Sequence, residues 1–144
     1  MGIMSESHED AQSVDIDLQL RWSDEDALGH VNNARVVTLM EEARLRFTQP
    51  RSDSGRFPFG TVVASMKVDY LRPLYYQPNM IVRLTVVRIG TKSFTLRHVG
   101  VQDGATVFDG TSVMVPLAED GKSSRAINEL ERTWLESAFV AANS

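Results

Sequence analysis

Three carboxylates, a histidine and two asparagines crowd one short run, Asp24-Glu25-Asp26-Ala27-Leu28-Gly29-His30-Val31-Asn32-Asn33. A carboxylate can act as a general base toward water or attack as a nucleophile. A helix starting at the asparagines would present unpaired backbone N–H groups, whose partial positive charge favours an anion beside it. Each residue also has a purely structural reading. Asp26 can be a helix cap or dipole partner, and Asp24 can fix the loop through local backbone hydrogen bonds. His30 can meet a substrate or hold the turn, while Asn32 and Asn33 can cap the helix.

The elements that must position this run are legible from periodicity. Val14, Ile16, Leu18, Leu20 and Trp22 alternate with polar residues, which predicts a half-buried strand leading into the acidic loop. Gly29 suits the turn, and a helix is expected from about Val31 to Thr48, with Pro50 marking its end. Val36, Met40, Ala43 and Phe47 recur at helical spacing, Val37 and Leu39 widen that face, and Glu42 with Arg46 forms an i,i+4 pair opposite it. Arg51 to Pro58 reads as a polar loop.

Four strands should follow, at Thr61–Leu71, Met80–Ile89, Lys92–Val101 and Thr106–Leu117, read together as an antiparallel meander. Gly90-Thr91 and Asp103-Gly104 suit hairpin turns, and Pro73 and Pro78 bracket the longer connection. A last helix is expected from Asn128, with Glu131 completing a capping box and Leu130, Trp134 and Ala138 buried. The sum is α+β, an antiparallel sheet curled around a long central helix. Such a sheet has exposed edges, which favours a homo-oligomer.

Composition limits the function classes. The 144 residues are 42% hydrophobic and 24% charged, enough for one domain with a core, read here as residues 14–144 behind a disordered polar tail at 1–13. A net charge of -4 argues against nucleic acid or an anionic membrane as partner, and with no long apolar run a cytoplasmic location is expected. The absence of cysteine removes disulfides, thiolate catalysis and cysteine-ligated zinc. The three histidines are scattered, and neither a Gly-x-Ser-x-Gly elbow nor a phosphate-cradling glycine loop is present, so no cofactor or metal is expected.

The acidic run, together with Met40-Glu41-Glu42-Ala43-Arg44 and Val68-Asp69-Tyr70-Leu71-Arg72-Pro73-Leu74, resembles the hotdog-fold acyl-CoA thioesterases of the 4-hydroxybenzoyl-CoA thioesterase type. The order of elements from Val14 to Leu117 is similar as well. The resemblance implies a sheet wrapped around the helix, a dimer or dimer of dimers, and an acyl-CoA thioester bound where subunits meet. Carried over position by position, it makes Asp26 the catalytic carboxylate and the Asn33 backbone N–H the donor to the thioester oxygen. Gly29, His30, Asn32, Val36, Val37, Met40 and Arg72 then become candidates for binding substrate.

The chain also departs from that pattern. Gln77-Pro78-Asn79 stands where relatives often carry Gly-Asp, and Leu28 stands where plant acyl-carrier-protein thioesterases have Asn, which weighs against their mechanism. Glu41 falls in line with Ala34, Val37 and Leu45 and is read as a buried partner to an arginine. Of Arg72, Arg83, Arg88, Lys92 and Arg97, Arg72 alone matches the family pattern as a phosphate contact. Two rivals share the fold: a hydratase or dehydratase, and a silent acyl-CoA binding protein.

Overall fold

The computed structural model describes residues 13–48 and 56–139. The expectations for the tail, for Pro50 and for most of the 51–58 loop fall outside these or straddle their limits. Five strands, β1 (Val14–Gln19), β2 (Thr61–Tyr70), β3 (Asn79–Ile89), β4 (Phe94–Gln102) and β5 (Ala105–Pro116), form one antiparallel sheet in the order β1-β3-β4-β5-β2. Helix α1 (Asn33–Thr48) lies over its inner face, and α2 (Glu129–Glu136) follows the last strand.

The expected four-strand meander is therefore wrong in one respect. Only β3, β4 and β5 follow one another, while β2 pairs with β5 at the far side and β1 pairs with β3. The connection through Pro73 and Pro78 has to carry the chain across the sheet. Period-two patterning gives each strand its faces but says nothing about which strand lies beside it. At the β4–β5 hairpin, Asp103 (φ 53) and Gly104 (φ 74) form a two-residue turn with both residues left-handed, a geometry that matches the sheet twist.

Burial of α1 follows its period. Val36, Leu39, Met40, Ala43 and Phe47 are buried against Val82, Leu84, Val86, Phe94, Leu96 and Met114. Arg46 Nη2 meets Glu42 at 2.7 Å on the opposite side. The helix begins two residues later than expected because Val31 is still extended, bridged to Glu25. Glu41 is exposed rather than buried. It is Arg44 that is buried, with Nη1 donating to Ser112 Oγ at 3.5 Å and Nη2 3.7 Å from Glu41. The arginine is buried to its guanidinium, and burial pushes its pKa down while the nearby Glu41 charge opposes that.

At the C-terminal end of α1 the core is closed by aromatic rings. Phe47 packs on Trp134 at 4.6 Å between centroids, Phe57 on Phe94 at 5.4 Å, and the Arg56 guanidinium lies 4.1 Å over Trp134. Helix α2 has the expected capping box: Asn128 Oδ1 accepts from Glu131 N–H at 2.8 Å, and Glu131 Oε1 accepts from Asn128 N–H at 3.1 Å. Its buried face differs from expectation. Leu130 is exposed, Trp134 is half-buried, and Leu135 with Glu131 is fully covered, while Ala138 is buried as expected.

Candidate active site

The acidic run folds as a small closed loop. A single turn of 3-10 helix (Trp22–Asp24) leads into it, Glu25 bridges Val31, and Asn32 N–H donates to the Asp24 carbonyl at 3.1 Å. Asp26 N–H donates to the His30 carbonyl at 2.7 Å, and the turn between them passes through Gly29 at φ 80, a conformation that glycine adopts without strain. Gly29 thus shapes the loop from outside the cleft described below.

The two aspartates have different surroundings. Asp24 is buried: Oδ2 accepts from Arg21 N–H at 2.9 Å, and Oδ1 lies 3.5 Å from Arg21 and 3.7 Å from Arg35. Asp26 is half-buried. Its Oδ1 accepts from Leu28 N–H at 2.9 Å and His30 N–H at 3.3 Å, and Oδ2 has no hydrogen-bond partner among the described residues.

Asn32 caps α1: its Oδ1 accepts from Ala34 N–H at 2.8 Å, and its carbonyl accepts from Arg35 and Val36. Asn33 is the first helical residue, and its N–H meets no acceptor among the described residues. Its carbonyl accepts from the Tyr70 hydroxyl at 3.2 Å.

These groups share a cleft of about 410 Å³ lined by Asp26, Leu28, His30, Val31, Asn32, Asn33, Val36, Tyr70, Leu71, Arg72, Pro73, Leu74, Val107 and Phe108. Of the residues singled out from sequence, Asp26, His30, Asn32, Asn33, Val36 and Arg72 come together here. Val37 and Met40 do not: Val37 is half-buried elsewhere on the helix, and Met40 is fully enclosed in the core. Arg72 has no ion-pair partner among the described residues, whereas Arg83 is paired to Asp15 at 2.8 Å and Arg97 to Asp109 at 2.6 Å.

The wall supplied by residues 70–74 is held in place by contacts distant in sequence. Val31 N–H donates to the Leu74 carbonyl at 2.6 Å, and the Tyr75 ring meets His30 edge-on at 5.1 Å. Gln102, at the end of β4, clamps the Tyr75 backbone from both sides, accepting from its N–H at 3.1 Å and donating to its carbonyl at 2.7 Å. The Tyr70-Leu71-Arg72-Pro73 run is a usable signal for this wall; Phe108 and Gln102 carry none.

Among the described residues no cluster of His, Cys, Asp and Glu is arranged to hold a metal ion, and no helix is long and apolar enough to cross a membrane. The arrangement offers a carboxylate with one uncommitted oxygen next to a helix start with one uncommitted N–H. That pair suits an acyl carbon under attack, because charge growing on its oxygen meets a donor already in place.

Residues 20–133 match the model of the thioesterase-like superfamily. A Bacillus subtilis (strain 168) protein, YsmA, is 31% identical over 121 residues, covering 82% of each chain. Among solved structures, a thioesterase from Thermus thermophilus complexed with coenzyme A and zinc is 32% identical with a TM-score of 0.76, over 87% of this chain and 92% of that one. A predicted thioesterase from Bacillus stearothermophilus is 26% identical with a TM-score of 0.80, over 90% and 98%. The five-stranded antiparallel sheet around α1 is the hotdog fold of these neighbours, and the chain belongs to the thioesterase-like superfamily as a thioester hydrolase.

Proposed function

We propose that the chain hydrolyses acyl-CoA thioesters to the free acid and coenzyme A, with Asp26 as the catalytic carboxylate and the Asn33 N–H as donor to the thioester oxygen. The observation that carries this reading is that Asp26 and Asn33 line one cleft, each with an uncommitted polar group. Attack on the thioester carbon moves charge to its oxygen, which the helix-first N–H stabilises, and collapse of the tetrahedral species expels the coenzyme A thiolate. Asp26 either takes the proton of the attacking water, or itself forms the new C–O bond as a mixed anhydride that water then cleaves to release the free acid and restore the carboxylate; both routes need its free oxygen. Arg72, on the same cleft and without an ion-pair partner among the described residues, suits a phosphate of coenzyme A, and the Thermus relative holds that molecule.

Thiol release from a series of acyl-CoAs, with enoyl-CoA hydration run in parallel, tests the activity. Release of thiol without hydration is expected. Hydration without thiol release would replace this reading with the hydratase, and neither reaction would leave a binding protein.

We further infer at least a dimer, joined through β2. This strand is ten residues long and, among the described residues, pairs with β5 alone, and its exposed residues include Val62, Val63 and Tyr70. The neighbouring face of α1 also exposes Ala34, Glu41 and Leu45. An apolar edge of that length invites pairing with a second copy. Sedimentation showing a fully active monomer would contradict it.

A further inference from the structure

We propose that Met40 and Phe108 close the acyl end of the cleft, so that the protein takes short or single-ring acyl groups and Met40 sets their limit. The inference rests on the thioesterase reading and adds a substrate class to it.

The inner face of the sheet is built in rows. One row beside the cleft runs Val82, Gly100, Phe108, Tyr70, and the next runs Leu84, His98, Gly110, Val68. Both rows contain a glycine, and each glycine is covered by a bulky side chain. The Phe108 ring occupies the place where a β-carbon of Gly100 would stand. A β-carbon on Gly110 would come within 2.7 Å of Met40 Cε and 2.8 Å of the Lys67 carbonyl oxygen. The sheet has therefore given up two side chains to seat two larger ones, which brings Phe108 and Met40 down to the floor at close-packed density.

Helix α1 contributes the same stop from above. Val36 lines the cleft, and Met40, one turn further on, is fully buried. Another turn beyond stands Arg44, buried with Ser112 and His98, whose two ring nitrogens have no hydrogen-bond partner among the described residues. A hydrocarbon tail forced past Met40 would meet a guanidinium and an imidazole instead of apolar surface, and would threaten the contact of Arg44 with Ser112. The volume of about 410 Å³ lies toward the low end for ligand pockets.

The test is kcat/KM across acetyl-, butyryl-, hexanoyl-, benzoyl-, decanoyl- and dodecanoyl-CoA. The wild-type protein should favour the butyryl, hexanoyl or benzoyl thioester and fall by about tenfold or more at dodecanoyl. Met40→Ala should raise the decanoyl-to-butyryl ratio by about tenfold, while the volume-conserving Met40→Leu leaves it in place. Phe108→Leu supplies a second opening of the floor should Met40→Ala fail to fold. A flat wild-type profile, or one favouring dodecanoyl-CoA, overturns the inference while thioester hydrolysis stands. An unchanged ratio in folded Met40→Ala overturns the role of Met40, and no thiol release from any substrate removes both readings together.

Discussion

Asp26, in the loop that leads into α1, and Glu131, in the first turn of α2, are both carboxylates close to a helix, and their surroundings are opposite. Glu131 is completely enclosed. Its Oε1 accepts from Arg125 Nη1 at 2.8 Å and from Asn128 N–H, and its Oε2 accepts from Arg125 Nη2 and Phe57 N–H, each at 2.7 Å. Asp26 has both of its hydrogen bonds on one oxygen and leaves the other to the cleft. Residue type and proximity to a helix do not separate the two cases; the count of committed lone pairs does. A saturated carboxylate ties separate pieces of chain together, and an unsaturated one is available to a substrate.

The largest loss of stability is expected at the saturated carboxylate. Glu131→Ala leaves the Arg125 charge and the Phe57 N–H without partners, and should cost about 3–5 kcal/mol of stability by chemical denaturation, with kcat unchanged where the protein remains folded. Burial pushes the Glu131 carboxyl up, but the Arg125 guanidinium and the N–H groups of Phe57 and Asn128 outweigh it and hold the pKa below the usual carboxylate range. Its contribution is thus present above the unfolded carboxylate pKa and is lost as pH falls through the lower folded one. Loss of activity without loss of stability in this variant would reverse the assigned roles.

His98 gives a smaller, pH-dependent effect. Burial and the Arg44 charge, against the opposing backbone of Gly110, push its pKa down from 6.5 to about 4. The folded protein holds the ring neutral while the unfolded chain protonates it, so stability is full above pH 6.5 and declines by roughly 3 kcal/mol toward about pH 4. In His98→Leu that decline should flatten, as followed by urea unfolding across the window. An identical slope would assign the acid sensitivity to other groups.

The smallest effect is expected at Gln102, which reaches the Asp26–His30 loop through Tyr75. Gln102→Ala removes two hydrogen bonds, for about 1–2 kcal/mol in stability, and loosens the ring that meets His30. A fall in kcat of about tenfold with KM nearly constant is the expected signature of lost positioning. A lowered Tm with kcat intact would make the clamp purely structural.

These regions also differ in how far the sequence reveals them. Asp26, Gly29, His30, Asn32 and Asn33 are neighbours in the chain, so local turn and capping chemistry is enough to place them around one helix start. The period of α1 likewise identifies Val36, Met40, Ala43 and Phe47 as its buried face. What escapes is long-range. The pairing of β2 with β5, the Gln102 clamp on Tyr75 and the seating of Phe108 on Gly100 join residues that no periodicity connects. Met40 shows the limit from another side: its apolar character fits a pocket wall and a core plug equally, and only the glycine across from it on the sheet distinguishes them. Leu130 departs from the expected burial because the α2 face turns toward Glu131 and Leu135, with a glutamate made buriable by Arg125.

The most direct test of the account replaces one oxygen at a time in the acidic loop. Asp26→Asn and Asp24→Asn are compared by thiol release under saturating acyl-CoA, with Tm and acyl-CoA binding measured on the same samples. The account predicts that Asp26→Asn lowers kcat by about 10²–10⁴-fold with binding and Tm nearly intact, because the amide keeps the acceptor used by Leu28 and His30 and loses the reactive oxygen. Asp24→Asn, whose carboxylate holds Arg21 and Arg35, should act mainly through Tm. Wild-type turnover in Asp26→Asn together with a lost reaction in a fully folded Asp24→Asn would contradict it.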